Sequence, residues 1–153
     1  MSSLEHKIPP PVVALLALPC MWLLSNLLPR VESQAWIRVA LAVGVLAIGL
    51  AFSIAGALAF RRAKTTVNPL RPEKATTLVT TGVYRMTRNP MYVGLLLALL
   101  AWAVLLASPL SLAGPVLFIA YINRFQIRPE EAALTAKFGP AFEQYKTTAR
   151  RWL

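Results

Sequence analysis

Residues 81–94 read TGVYRMTRNPMYVG, and further along the chain Glu130 and Glu131 stand side by side. The first stretch sets Arg85, Arg88, Asn89, Tyr84 and Tyr92 against the mouth of a long apolar run. Asn89-Pro90 restricts the backbone at Asn89 and suits a helix start at Pro90, so backbone N–H groups would point out of the helix there. Such a terminus, flanked by arginines, favours a carboxylate or a phosphate. Tyrosine and arginine at the edge of an apolar run equally suit anchoring at the headgroup level of a bilayer. The chain has six acids in all, and the pair at 130–131 is the one that follows an apolar run directly. Acids there suit a helix first turn. A carboxylate at the end of an apolar bundle also accepts from ribose hydroxyls or from an ammonium group. Together the two patches would hold a zwitterionic or polyhydroxylated ligand. A metal site is not expected, because His6 and Cys20 stand alone and no disulfide can form within the chain.

The elements that must position these groups are apolar. The 153 residues are 57% hydrophobic and 14% charged, and the mean hydropathy is +0.57. A soluble domain carries about a quarter charged residues. Four apolar stretches, near 11–28, 36–60, 91–107 and 110–125, predict a helical bundle of about four transmembrane helices. The first resembles a signal peptide but lacks a clean cleavage site, and is read as a span bent at Pro19. Gly44, Gly49 and Gly56 give the second a small-residue face that admits a close neighbour. Ser108-Pro109 suits a tight turn between the third and fourth, and Pro115 a bend in the fourth.

Basic residues set the topology. Arg61, Arg62, Lys64, Arg71, Lys74, Arg85 and Arg88 lie between the second and third runs, and Arg124, Arg128, Lys137, Lys146, Arg150 and Arg151 follow near the end of the fourth. Only Arg30 and Arg38 flank the connection between the first two. The asymmetry places both termini and the 61–90 loop in the cytoplasm, as for a bacterial inner-membrane protein. The net charge of +10 points to anionic lipid rather than nucleic acid as partner. The expected organisation is one domain over 1–153, with two N-terminal spans in 1–62, a loop in 63–90, a helical hairpin in 91–127 and two short amphipathic helices in 128–153. Pro129 opens the first of these and Gly139-Pro140 separates them, with Leu134, Phe138, Phe142 and Tyr145 on one face.

The order TTGVYRMTRNPMYVG, hairpin, EEAALTAKFGPAFEQYKTTARRWL resembles the isoprenylcysteine carboxyl methyltransferases and the related phospholipid methyltransferases, integral membrane enzymes. Arg88, Asn89, Pro90, Tyr92 and Gly94 take the places of Arg-His-Pro-x-Tyr-x-Gly. Gln126 and Ile127 take those of Arg-Ile, Glu130 and Glu131 those of the paired acids, and Phe138, Gly139, Phe142 and Tyr145 those of the final aromatic pattern. Asn89 stands for His, Gln126 for Arg and Phe142 for Tyr, so Asn89 can hydrogen-bond a cofactor but cannot serve as a cation or general base.

The resemblance implies S-adenosylmethionine as cofactor, held in a cytoplasmic pocket, and a hydrophobic or lipid methyl acceptor. Methyl transfer from a sulfonium needs the acceptor aligned and water excluded more than it needs acid–base help. The implied catalytic residues are Arg88, Asn89 and Glu130. The implied cofactor-binding residues are Tyr84, Asn89, Pro90, Tyr92, Gln126, Glu130 and Glu131. Glu130 would contact ribose or the amino group, and Arg85 and Arg88 the acceptor's carboxylate or phosphate. Two other readings compete: an NADPH-dependent membrane reductase of the sterol C14-reductase kind, which shares a similar C-terminal pattern, and a non-catalytic lipid-binding or assembly protein.

Overall fold

Prolines and glycines punctuate the chain. In a computed structural model that describes residues 8–63 and 77–153, helix α1 spans Pro10–Ser25 and starts on a proline, at a position whose donor a helix does not use. Pro19 lies inside it. Helix α2 spans Ala35–Arg62 and ends on Arg61 and Arg62, where cations suit the helix dipole. A 3₁₀ turn at Gly82–Arg85 begins at Gly82, whose φ of 63° explains the glycine. Helix α3 spans Pro90–Leu106, α4 Ala113–Ile122, α5 Arg128–Phe138 and α6 Pro140–Thr148. Gly139, with φ 50°, breaks the chain between α5 and α6, as Gly139-Pro140 predicts. The described residues form helices and turns, with one isolated parallel bridge between Thr87 and Arg150.

Two details differ from expectation. The α3–α4 link is not a simple tight turn. Ala107 takes a left-handed conformation at φ 51°, and a 3₁₀ turn at Pro109–Leu112 then leads into α4. Pro115 falls in the first turn of α4, where its missing donor does little harm. The fourth apolar run also does not stop at its predicted end. It passes through one π-helical turn, Asn123–Ile127, straight into α5. Pro129 removes a donor in what is now mid-helix, and the wider turn just before it absorbs that loss. Lys64, Arg71, Lys74 and Glu73 of the expected loop, and Glu5, His6 and Lys7, lie outside the described residues.

Two helical stretches, Ala35–Arg62 and Pro109–Phe138, are long and apolar enough to cross a membrane. The 16 residues of α1 and the 17 of α3 are apolar but shorter; at the usual helical rise they extend about 24–26 Å, just under a hydrocarbon core of about 30 Å. Large apolar side chains face outward along these helices, among them Leu15, Leu41, Ile48, Ile54 and Leu117. That surface suits lipid and not water.

Helix α3 is central, with α2 laid along one side and α1 and α4 along others. The α2–α3 approach rests on missing side chains. A Cβ on Gly49 would come within 2.9 Å of the Gly94 carbonyl oxygen, one on Gly94 within 2.6 Å of the Gly49 oxygen, and one on Gly56 within 2.9 Å of Pro90 Cγ. Gly44, also on the predicted small-residue face, has open space around it. Inside, Met21, Leu99, Phe118, Ile122 and Ile127 form one core with Tyr92. A second cluster, Val79, Tyr84, Phe142, Tyr145 and Ala149, closes one end of the bundle against Phe60. The aromatic face foreseen on α5 and α6 thus rests on protein.

Because backbone crowds Gly94, Gly94→Val is expected to force α2 and α3 apart at a cost of about 1–3 kcal/mol. Gly44→Ala should be neutral or stabilise by up to about 1 kcal/mol. Thermal unfolding in detergent distinguishes the two, and equal midpoints would contradict the packing described.

Candidate functional site

Arg88 and Glu131 meet where α3 begins. Arg88 Nη2 donates to Glu131 Oε1 at 2.9 Å, with both side chains largely buried. Arg151 adds a second, two-pronged contact to the same carboxylate, Nε to Oε1 at 3.1 Å and Nη2 to Oε2 at 2.5 Å. Arg88 also donates through Nη1 to the backbone carbonyls of Lys146 and Ala149. Two guanidinium groups thus share one carboxylate, which balances the charge in a largely buried place.

The segment after α6 lies across this point. The Arg88 N–H donates to the Arg150 carbonyl at 2.8 Å, Asn89 Nδ2 to the Arg151 carbonyl at 2.9 Å, and the buried Thr87 hydroxyl to the same carbonyl at 3.3 Å. Thr87 Oγ1 also accepts from the Asn89 N–H. Trp152 Nε1 donates to Asn123 Oδ1 at 3.1 Å, which fixes the far end of the strap to the π-helical turn.

One helical turn into α3, Tyr92 Oη donates to Glu130 Oε1 at 2.5 Å. Glu130 keeps part of its surface accessible. Just before it, the π-helical turn carries Gln126, which is fully buried. Gln126 Nε2 donates to the Ile8 carbonyl at 2.8 Å, while its Oε1 is buried and finds no partner among the described residues. Single π turns occur often at functional sites, because they rotate the residues that follow.

The structure therefore joins Arg88 to Glu131, and Tyr92 to Glu130. It commits the Arg88 Nη1 and Nη2 groups and the Asn89 amide nitrogen to protein partners. Asn89 Oδ1 makes no hydrogen bond among the described residues. Tyr84 turns to the second cluster, edge-on to Phe60 at 5.2 Å, and its carbonyl accepts from Tyr145 Oη at 2.6 Å. Pro90 is buried against Gly56, and Arg85 is exposed. Sequence reasoning missed Thr87 and the pinning role of Arg151. Thr87 gave no signal, and Arg151 was visible only as one of several topology-setting charges.

The profile of a family described as phospholipid methyltransferase matches residues 37–141. An uncharacterized protein of Haemophilus influenzae is 49% identical over 63 residues, which are 41% of this chain and the whole of that one. The protein-S-isoprenylcysteine O-methyltransferase of Xenopus laevis is 40% identical over 70 residues, 46% of this chain. The match spans only 24% of that relative's length. No solved structure matches.

Glu131→Ala leaves two arginines without their counter-charge, and is expected to cost about 3 kcal/mol and to speed tryptic cleavage at Arg150 and Arg151. Unchanged unfolding and unchanged cleavage would contradict the strap.

Proposed function

This chain belongs to the phospholipid methyltransferase family, a family of membrane methyltransferases, and on that premise we propose that it transfers a methyl group from S-adenosylmethionine to a hydrophobic or lipid acceptor. The observation that carries the reading is the enclosed Glu130 carboxyl, held by Tyr92 at the start of α3, with an unpartnered acceptor on Gln126 one helical turn before it. In this proposal the chain crosses the membrane four times, and the end that carries the strap faces the cytoplasm.

The residues fit the donor. S-adenosylmethionine, when bound, supplies an electrophilic methyl on a positively charged sulfur, and it carries an ammonium, ribose hydroxyls and an adenine amine. Glu130 answers a cation or a hydroxyl. Gln126 Oε1 and Asn89 Oδ1 answer N–H donors, and Tyr92 holds Glu130 in place. Arg88, Glu131 and Arg151 act one step removed, as positioning residues: they hold α5 against the start of α3 and so fix where Glu130 stands. Tyr84 and Pro90 serve as packing around that site. The apolar helices exclude water from the same end of the bundle, as a reaction of a strong electrophile with a weak nucleophile requires. An acceptor with a long hydrocarbon part reaches the site sideways from the bilayer.

Calorimetry of the detergent-purified protein tests this directly. S-adenosylhomocysteine should bind saturably and NADPH should not, with Glu130→Ala weakening the former by about tenfold or more, as expected for loss of a charge-assisted contact. Binding of NADPH alone, or of neither, would overturn the reading.

A further inference from the structure

A groove of about 610 Å³ runs between α1 and α4, on a side of the bundle that neither Tyr92 nor Glu130 lines. We propose that it holds one acyl chain of an anionic bilayer phospholipid, with the phosphate on Arg124, at a site separate from the one that would bind the methyl donor.

The walls are apolar over almost their whole length. Along α1 they extend from Val13 to Leu24, a distance of about 16 Å at the helical rise. That is about half of a hydrocarbon core of about 30 Å, which is the depth of one leaflet. Gly114 lets α4 come down on Met21, and that contact closes the floor. The two ends differ in chemistry. Val13 on α1 and Tyr121, Arg124 and Phe125 on the α4 side mark one end, and Leu24 and Gly114 mark the other. Arg124 is exposed, and no acid among the described residues pairs with it. It lies at the same end of the bundle as Arg61, Arg62, Arg128 and Arg150, so the local field favours an anion.

Tyr121 adds an independent sign. Its ring packs on Phe125 at 4.8 Å, and its hydroxyl is buried with no partner among the described residues. A buried hydroxyl without a partner is unfavourable, and turning the ring toward the groove lets it meet a lipid ester or phosphate oxygen drawn in by Arg124. The groove therefore offers an apolar slot one leaflet deep, a hydroxyl at its rim and a cation above it, in the order in which a phospholipid presents chain, ester and phosphate. A neutral-headgroup lipid satisfies the slot but leaves the net positive charge at its mouth unanswered.

The chain contains its own reporter. Cys20, its single cysteine, is exposed and lines the groove. In neutral detergent micelles, alkylation of Cys20 by N-ethylmaleimide should be slowed by added phosphatidylglycerol about fivefold more than by phosphatidylcholine, the factor that one basic residue is worth near an anionic surface. Arg124→Gln, an exposed change that leaves the core alone, should remove that difference. Ala120→Phe, which fills the slot, should slow labelling without lipid and abolish retention of phosphatidylglycerol in native mass spectrometry. Equal protection by both lipids overturns the role of Arg124. No protection by either, with labelling still fast in micelles, overturns the groove as a lipid site. No cofactor enters the experiment, so it stands or falls apart from the methyl-transfer reading.

Discussion

The Glu131 carboxylate ties together three stretches that are far apart in the chain. It is the common partner of Arg88, just before α3, and of Arg151, just after α6, while it stands itself in the first turn of α5. Together with the Tyr92–Glu130 contact, this node is the polar link that fixes α5 against the start of α3; the helices around it meet through apolar contacts that tolerate sliding. Ion pairs on an exposed surface do little of this kind. Here both side chains of the Arg88–Glu131 pair are largely out of solvent, so the alternative to the pair is an unmatched charge in a poor dielectric. The geometry of the neighbouring Tyr92–Glu130 contact follows from it.

Two adjacent glutamates thus end up in different surroundings. Glu131 is flanked by two cations. Glu130 faces a phenol. This division separates a group that builds the site from a group free to answer a ligand. Successive residues of a helix point about 100° apart, so one acid turns toward Tyr92 and the next toward Arg88 on the α5 that follows the π-helical turn. The same turn buries Gln126 with one amide atom bonded and the other waiting.

The close α2–α3 contact answers a different constraint. In a bilayer, apolar surface gains little from meeting other apolar surface, so helices associate where small residues let backbones approach. Gly49, Gly56 and Gly94 make that approach, and it places the start of α3 under the end of α2. The site is built on the rigid helix that this packing fixes. The groove beside α4 lies where the helices are less closely filled.

Much of this was legible in the sequence. The apolar runs, the prolines and glycines at their ends and the break at Gly139-Pro140 gave helix positions to within a few residues, because these signals act through local backbone geometry and through the length of an apolar run. Gly49 and Gly56 were visible as a packing face, and Arg88, Tyr92, Glu130 and Glu131 as chemistry gathered at one end of the bundle. The sequence by itself determined the membrane character, the helical class and the types of residue at the site. Only the tertiary structure decided which of two adjacent acids pairs with arginine, that Arg151 joins them, that Asn89 is partly used by the backbone strap, and that the fourth run continues through a π turn. Those outcomes depend on distances between segments distant in the chain and on the burial those segments create. Neither quantity is carried by the order of residues along one segment.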